Sequence, residues 1–484
     1  MEIDSYCLTE ASADKIANAE TTLDLEQLPE PVHFIGIGGI GMSALARLLI
    51  RHGKKVSGSD KCGGAIIDEL VGMGARIFIG HKASNAVDAG SVVVSTAIVK
   101  DNPELEYARG ANLPVWHRSD ILSALTARSR LIAVTGTHGK TTTTGMVAQV
   151  LIEGGVDPSV VVGGIFETIG SNARFGEGDY FVAEADESDG THATLASAVA
   201  LITNIEADHL ENYPGGMTQI REAMISFANR AQSFVLICSD DPGCMLIKSW
   251  IDKPVITYGL KGVSEADYSF ENLNGFSMKV FRRGSEVGGL ELKVPGVHNK
   301  LNALAAVAVG LELGIAFEEI KHALENFGGI CRRFQILGEE RGILVVDDYA
   351  HHPTEVVATL KAAKDFLKQR QGAGQRVVAV FQPHQPGRLR DLWNEFLLSF
   401  ADADLALIAD IYVARGGAIE GITSERFVAA MKHDNVHYLP GSVNDLPQAI
   451  APYLKAGDLV LTIGAGDITS VGNALLEHLR NNNF

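Results

Sequence analysis

The sequence predicts an α/β protein in which mostly parallel sheets form three successive units. Short β-branched runs alternate with helical patterns almost to the C-terminus, as expected for strands joined by crossover helices. Two glycine-rich turns, "GIGGIG" and "GTHGKTT", each follow an apolar run and open a helical pattern. A length of 484 residues is also too great for one ordinary core, so several domains are expected.

The composition is typical of a soluble globular protein, with 46% hydrophobic and 21% charged residues. The balance of 41 basic and 59 acidic residues gives a net charge of -18, which argues against nucleic acid or an anionic membrane surface as the main partner. The longest apolar stretch, near Ala303, is too short and too interrupted to span a bilayer. Small-molecule partners are therefore expected, with the protein a monomer or a homodimer.

The cysteines and the N-terminus indicate a cytoplasmic protein. The chain has five scattered cysteines and no C-x-x-C pair, which favours free thiols in a reducing compartment. They are Cys7, Cys62, Cys238, Cys244 and Cys331. Residues 1–30 are acidic and lack the basic and apolar regions of a signal peptide, so we interpret them as an acidic N-terminal tail.

Three units follow this tail. The first, residues 31–127, contains the strand-like runs "HFIGIGG", "KKVSGSD", "RIFIG" and "SVVVSTAI". The second, residues 128–334, contains "LIAVTG", "DYFVAEAD", "VALITNI" and "SFVLICSD", then an antiparallel excursion over 266–295 and a long helix. The third, residues 335–484, contains "GILVVDDYA", "RVVAVFQPH", "LALIADIY" and "DLVLTIGAGD".

The first glycine turn has the features of a dinucleotide-binding fingerprint. It lies between a strand and a helix, and Asp60 ends the next strand, where an acid can contact a ribose or base. The glycines that would admit a diphosphate are Gly36, Gly38, Gly39 and Gly41. The pattern alone fits NAD, FAD, any nucleoside diphosphate or a purely structural turn.

The second glycine turn predicts a phosphate-binding loop. Gly136 and Gly139 free the backbone amides to wrap phosphate oxygens, Lys140 can reach the outer phosphates, and Thr141 offers a hydroxyl to Mg2+. The spacing G-x-x-G-K-T is tighter than the common phosphate loop, and the alternative is a glycine turn with a solvated lysine. The strand before it and the helix after it favour phosphate binding.

Further polar residues follow the strands of the second unit. Glu184 and Asp186 come after "DYFVA", and His209 comes after "VALITNI". The carboxyl ends of parallel strands face the crevice where open sheets bind ligands, and hard oxygen donors suit Mg2+. Singly, each residue could be a helix cap or an ordinary loop histidine. Their joint placement with Lys140 and Thr141 favours a metal and phosphate site.

Polar residues also surround the junction to the third unit. Asn299 and Asn302 lie three apart at a helix start, where their amides could read adenine or simply cap the helix. Arg332 and Arg333 lie next to the junction, where an arginine could reach the transferring phosphate. A dense polar group follows an apolar strand in "DDYAHHPTEV": Asp347, Asp348, Tyr349, His351 and His352.

Together these motifs resemble the Mur ligases over nearly the whole chain from Val32. The set consists of "GIGGIGMS", "GTHGKTTT", "EADESD", "TNIEADHL", "HNKLNALAA", "RRF" and "DDYAHHPTE", in that family's order and spacing. The resemblance implies Rossmann-like N- and C-terminal domains for a UDP-sugar and an amino acid, around a central P-loop ATPase-like domain. It also implies an ATP- and Mg2+-dependent ligase of peptidoglycan precursor synthesis. Such an enzyme joins an amino acid, with L-alanine as first candidate, to the carboxylate of UDP-N-acetylmuramate through an acyl phosphate.

The resemblance implies roles for particular residues. ATP would contact Gly136, Thr137, Gly139, Lys140, Thr141, Thr142, Asn299, Asn302 and Asp348. The UDP-sugar would contact Gly36, Gly38, Gly39, Gly41, Asp60, Thr96 and Asn204. The amino acid would contact Tyr349, His351, His352 and Arg388, and Mg2+ would be held by Thr141, Glu184 and His209. The implied catalytic set is Lys140, Glu184, His209 and Arg333.

The sequence departs from the family pattern on the amino-acid side. The segment "FQPHQPGRLRDL" has Gln385 where the family has an arginine, and "VARGGAIEG", near Arg415, replaces a glycine-glutamate-x-proline-isoleucine loop. These departures leave the preferred amino acid open. The alternatives are a recycling ligase that attaches a whole peptide, an NAD-dependent oxidoreductase that uses only the first turn, and an ATP-binding regulator.

Overall fold

A computed structural model describes residues 23–188, 190–273, 275–370, 375–414 and 417–482. Most of the predicted acidic tail, Cys7, and Arg415 and Gly416 of the altered loop therefore lie outside the described residues. The first compact unit runs to Ser269 and includes Arg282–Ser285 and Leu304–Ile320, and the second takes in the remaining described residues from Phe270.

The first sheet carries the first glycine turn. Its strands are β1 (Val32–Ile35), β2 (Val56–Asp60), β3 (Arg76–Ile79), β4 (Ser91–Val94) and β5 (Val115–His117). Its helices are α1 (Ile40–Arg51), α2 (Ala65–Gly72), α3 (Pro103–Gly110) and α4 (Arg118–Thr126). The strands are parallel in the order β3-β2-β1-β4-β5. Because the order reverses between β1 and β4, the turn after β1 lies at the switch point where open sheets bind ligands.

The strands that follow position the second glycine turn. They are β6 (Arg130–Thr135), β7 (Ser159–Phe166), β8 (Ser171–Arg174), β9 (Tyr180–Glu184), β10 (Ser197–Ile202), β11 (Ala231–Cys238) and β12 (Val255–Leu260). The helices are α5 (Lys140–Glu153), α6 (Gly216–Asn229) and α7 (Pro242–Ile247). In the order β12-β11-β10-β6-β9-β7-β8, β6 is central and parallel to β9 and β10, and β7 and β8 pair antiparallel. The turn after β6 therefore lies between the ends of β9 and β10.

Three short strands occupy the predicted excursion: β13 (Tyr268–Asn272), β14 (Ser277–Arg282) and β15 (Ser285–Glu291). The long helix expected next is α8 (Val297–Glu312), and α9 (Phe317–Glu325) follows it. Most residues of the three strands and the start of α8 belong to the second compact unit. The predicted domain boundaries near residues 127 and 334 stay predictions.

The last sheet is again mostly parallel. Its strands are β16 (Gln335–Glu340), β17 (Ile343–Asp348), β18 (Arg376–Phe381), β19 (Leu405–Ala409), β20 (Val436–Leu439) and β21 (Asp458–Ile463). Its helices are α10 (Pro353–Gln369), α11 (Pro386–Asp391), α12 (Trp393–Leu398), α13 (Ser424–Ala430), α14 (Leu446–Ile450) and α15 (Thr469–Asn481). The order is β16-β17-β21-β18-β19-β20, with only the edge strand β16 antiparallel to its neighbour.

Both faces of this sheet are buried, because alternate residues of the strands enter different cores. Along β18, Val377, Ala379 and Phe381 join one cluster, whereas Val378 and Val380 join the other. This burial explains why the strands are continuous apolar runs. The predicted α/β fold with mostly parallel sheets is confirmed.

Two further expectations concern the chemistry of the whole chain. Cys62, Cys238 and Cys244 are free thiols, as predicted, and the last two are buried. Among the described residues, no helix combines the length and the apolarity that a bilayer span needs. The cytoplasmic location stays a prediction.

Candidate active site

The second glycine turn, residues 136–142, is named here the phosphate turn. Gly136 and Gly139 have φ values of 127° and 80°, which disfavour any side chain. A Cβ on Gly136 would lie 2.2 Å from the Thr203 hydroxyl at the end of β10. Glycine is therefore required there for both conformation and space. Because α5 begins at Lys140, the amides of its first turn lie at the phosphate turn, as anion binding requires.

Lys140 lies inside this turn and uses its three ammonium hydrogens there. Its Nζ donates to the carbonyls of Gly136 at 2.6 Å and Thr137 at 3.0 Å, and to Glu187 Oε1 at 2.8 Å. Burial alone would lower the pKa of Lys140, but the carboxylates of Glu187, Asp186 and Glu184 raise it above its usual value. The lysine is therefore a fixed positive charge within an acidic shell.

Neither Glu187, a member of this acidic shell, nor Arg118, which pairs with the shell residue Asp186, was predicted from the sequence. Burial raises the pKa of Glu187 to about 7, Lys140 opposes that rise and Asp186 adds to it. Burial also disfavours ionisation of Asp186, but Arg118 and Lys140 outweigh burial and hold its pKa well below the usual range. Arg118 pairs directly with Asp186 although it begins α4 of the first sheet. No local pattern connects Arg118 to the motif at Asp186.

Glu184, a predicted metal ligand, is oriented by backbone rather than by a side chain. It ends β9, and the Gly163 amide of β7 donates to its Oε2 at 3.0 Å. A Cβ on Gly163 would lie only 2.4 Å from that oxygen. Thr141, the second predicted ligand, is buried in the first turn of α5. A fixed carboxylate and a hydroxyl are the hard oxygen donors that Mg2+ prefers.

His209 begins a short segment that is tied to the acidic shell. It has a left-handed φ of 54°, and its Nε2 lies 3.6 Å from Asp208 Oδ2. Further along the segment, Tyr213 donates its hydroxyl to the Glu187 carbonyl, and Asn212 donates to the Ser188 carbonyl at 2.8 Å. The two loops therefore hold each other in place.

Asn204 lies at the phosphate turn rather than at the first glycine turn. Its side-chain oxygen accepts from the His138 amide at 2.8 Å, and its Nδ2 donates to the His138 carbonyl at 2.9 Å. These two hydrogen bonds to the backbone of His138 hold the phosphate turn in place. Thr137 and Thr142 are buried there as well. The assignment of Asn204 to the UDP-sugar stays a prediction.

The first glycine turn is held by β2. The amides of Gly36 and Ile37 donate to the Ser59 carbonyl at 2.8 and 3.0 Å, and the Gly38 amide donates to Asp60 Oδ2 at 2.9 Å. One oxygen of the predicted ribose ligand Asp60 therefore positions the turn itself. Gly39 precedes the first residue of α1 and Gly41 lies in its first turn, while Thr96 lies in an exposed turn after β4.

In the second unit, the predicted adenine residues share one face of α8, as the spacing indicated. Both are buried: Asn299 donates to the Pro295 carbonyl at 2.7 Å, and Asn302 donates to Asn299 Oδ1 at 3.4 Å. Asp348, a predicted ATP contact, accepts from the amides of Phe334 at 2.7 Å and Ala350 at 2.9 Å. Burial raises the pKa of Asp348 to about 6, although Arg333 lowers it.

The predicted amino-acid residues meet around four aromatic rings, named here the ring cluster: Tyr349, His351, His384 and Tyr412. Tyr349 and His351 lie 5.2 Å apart, His351 and His384 lie 5.8 Å apart, and His384 stacks on Tyr412 at 5.6 Å. Arg388 Nη1 lies 3.2 Å from His384 Nδ1 and can only donate to it. Burial lowers the pKa of His351 to about 3, so its imidazole is neutral near pH 7.

The other predicted residues near the ring cluster contact one of its rings or its backbone, or cap a helix. Both arginines of "RRF" lie over the Tyr349 ring, Arg332 at 4.7 Å and Arg333 at 5.1 Å. His352 caps α10, with the Thr354 amide 3.4 Å from its Nδ1. Gln385 has an unusual φ of 74°, and its amide donates to the Tyr412 carbonyl at 2.9 Å.

The fold and these sites define a mostly parallel α/β protein with two glycine turns, one of which lies beside buried carboxylates. Three family models match the chain: "Mur ligase family, catalytic domain" over residues 31–130, "Mur ligase middle domain" over 134–310, and "Mur ligase, glutamate ligase domain" over 332–466. The chain belongs to the Mur ligase family.

Its relatives narrow the comparison. The UDP-N-acetylmuramate–L-alanine ligase of Trichlorobacter lovleyi is 43% identical over 457 residues, which cover 93% of this chain and 99% of the relative. The crystal structure of the UDP-N-acetylmuramate-alanine ligase of Thermotoga maritima is 31% identical, with a TM-score of 0.80 and coverage of 93% and 99%. A murein peptide ligase of Psychrobacter arcticus, at 24% identity and a TM-score of 0.70, covers 94% and 99% and shares the fold.

Proposed function

We propose that this chain joins L-alanine to the carboxylate of UDP-N-acetylmuramate, with cleavage of ATP to ADP and phosphate, in peptidoglycan precursor synthesis. The observation that carries the proposal is the position of Lys140. It is held within the phosphate turn, at the carboxyl end of β6, by backbone carbonyls and by the acidic shell. Relatives 43% identical over nearly their whole length bear the name of this activity.

The reaction takes two steps, and in each step one bond forms and one breaks. A substrate carboxylate oxygen attacks the γ-phosphorus of ATP, the bond to the β-γ bridging oxygen breaks, and ADP leaves. The amine of the amino acid then attacks the carbonyl carbon of the acyl phosphate, loses a proton, and expels inorganic phosphate. The first step brings a carboxylate to a polyphosphate, so the site must offset their repulsion.

Residues at and near the phosphate turn, in the first compact unit, can offset this repulsion. Lys140 and the first-turn amides of α5 offer fixed positive charge and donors to the phosphates. Thr141, Glu184 and His209 would hold Mg2+, which when bound neutralises phosphate charge. The rigid support of Glu184 by the Gly163 amide fits such a role, because a metal ligand must keep its orientation.

The ring cluster suits recognition of an amino acid. Arg388 carries a planar fork that matches an α-carboxylate, and its contact with His384 fixes where that fork starts. Tyr349 and the neutral His351 add apolar surface without charge. L-Alanine has a short apolar side chain, which needs no charged partner.

An assay of ADP release tests the proposal. ADP should appear only when UDP-N-acetylmuramate and an amino acid are both present, with L-alanine the best of a panel. The panel includes a tripeptide, which a recycling ligase would prefer. Vigorous ATP hydrolysis without the UDP-sugar, or nicotinamide reduction in place of ADP release, would refute the proposal.

A further inference from the structure

Arg118 lies beside the first glycine turn. Its Nη1 is 3.1 Å from the position that a Cβ on Gly41 would take, in the first turn of α1. It is also the first residue of α4, where the helix dipole disfavours a cation. Helix stability therefore does not explain an arginine at this position.

The first glycine turn has no basic residue of its own. Residues 36–41 contain neither lysine nor arginine, in contrast to the phosphate turn with Lys140. The next basic residue along the chain, Arg47, is only 4% exposed and donates to Glu69, Ser171 and Asn172. A diphosphate at the start of α1 would need a positive charge from elsewhere, and Arg118 lies within reach of that helix turn.

We infer that Arg118 is a further substrate-binding residue, which supplies the first glycine turn with the positive charge that recognises the diphosphate of the UDP-sugar. The inference rests on the proposed function for the identity of that ligand. A guanidinium is the side chain best suited to bidentate contact with phosphate oxygens.

The alternative is that Arg118 only ties the first domain to the central one through Asp186. The side chains of Arg118 and Asp186 are 22% and 35% exposed. A partly buried pair of this kind can stabilise the fold as well as position the guanidinium. The pair does place Arg118 between the first glycine turn and the acidic shell around Lys140, so the test must separate binding from tethering.

The test compares binding of UDP and UMP, which differ by one phosphate, by calorimetry without ATP. Arg118→Gln should weaken UDP binding by at least about tenfold, the size of one lost charge-assisted contact. UMP binding should change by less than about threefold. Arg118→Lys should fall between Gln and wild type, because lysine keeps the charge and loses the fork.

Two controls make the result decisive. Arg109→Gln removes the same charge from an exposed arginine of α3 and should leave both affinities unchanged. Asp186→Asn breaks the ion pair and keeps the guanidinium, so UDP affinity should stay within about twofold of wild type. Equal losses for UDP and UMP in the Arg118 variants, or an Asp186→Asn loss as large as that of Arg118→Gln, would overturn the inference.

Further outcomes distinguish this inference from the proposed function. If Arg118→Gln does not unfold cooperatively, Arg118→Lys alone decides the question, because it keeps the charge and most of the packing volume. If the wild type ligates L-alanine and both Arg118 variants bind UDP normally, the inference is wrong and the proposed function stands. If the wild type neither binds UDP-N-acetylmuramate nor releases ADP with it, the proposed function itself fails.

Discussion

The phosphate turn of the first compact unit and the ring cluster of the second compact unit accommodate charge in different ways. Around Lys140, carboxylates lie close enough to displace each other's pKa values, and Glu187 reaches about 7. Around His384, aromatic rings pack against one another, and burial lowers the pKa of His351 to about 3. The first region surrounds one ammonium with carboxylates, whereas the second packs aromatic rings against the guanidinium groups of Arg332, Arg333 and Arg388.

This difference indicates what each region does during the reaction. Compensated charge beside a glycine turn can stabilise a transferring phosphate, so changes there should act on turnover. A site lined by aromatic rings and arginines can hold an amino acid without changing its reactivity, so changes there should act on KM. Four predictions test this division, from the largest expected effect to the smallest.

Replacement of the lysine should have the largest effect. Lys140→Ala removes the only side-chain cation that the structure places within the phosphate turn, and ligation should fall by at least about a thousandfold, mainly in kcat. Lys100→Ala, an exposed lysine of the same unit, is the control and should keep full activity. Steady-state ADP release measures both, and a Lys140→Ala enzyme with normal kcat and a raised KM for ATP would contradict the division.

The metal carboxylate should come second. Glu184→Ala should lower kcat by about a hundredfold and raise the Mg2+ concentration needed for half-maximal rate. Gly163→Ala should act in the same direction although it keeps the carboxylate, because the new Cβ would clash with Glu184 Oε2 and displace it. Mg2+ titrations of the ligation rate decide the matter, and near-wild-type rates for Glu184→Ala at ordinary Mg2+ would show that the metal assignment is wrong.

The two regions also differ in how far the sequence predicted them. The strand-to-helix geometry of the phosphate turn can be predicted from the sequence, because its glycines, lysine and threonine lie within seven residues. Glu187 was overlooked although it lies in the same motif, since only the fold shows that this glutamate contacts Lys140. Arg118 has no local signal at all, because a different sheet carries it.

The ring cluster was predicted only in part. Tyr349, His351 and Arg388 were expected from the motifs, but His384, which contacts both His351 and Arg388, was not assigned. Tyr412 comes from a segment after β19, and its stacking on His384 depends on the parallel pairing of β18 with β19. Such contacts between separate strands cannot be read from a local pattern, whereas the alternating apolar runs were sufficient to predict the α/β class.

The third prediction concerns Glu187 and pH. Its folded-state pKa of about 7 lies above the ordinary value of 4.5, chiefly because of burial. A carboxyl whose pKa rises on folding favours the folded state most below its unfolded pKa, and that stability is lost as pH rises toward the folded pKa. The wild type should therefore lose stability relative to Glu187→Gln between about pH 4.5 and pH 7, by about 3 kcal/mol. Urea unfolding at several pH values measures this, and a constant difference would disprove it.

The fourth prediction concerns amino-acid recognition, where the smallest effect is expected. Arg388→Ala should raise the KM for L-alanine by at least about tenfold, or about 1.4 kcal/mol, because the α-carboxylate loses its guanidinium partner. The KM values for ATP and UDP-N-acetylmuramate should stay within about twofold. Gln385→Arg should lower the KM for L-alanine by a few-fold, because it returns a charge at the position where the sequence departs from its family. Initial rates across an L-alanine series measure these values. An unchanged KM in Arg388→Ala would place the amino-acid site elsewhere, and a fall confined to kcat would remove the proposed contrast between the ring cluster and the phosphate turn.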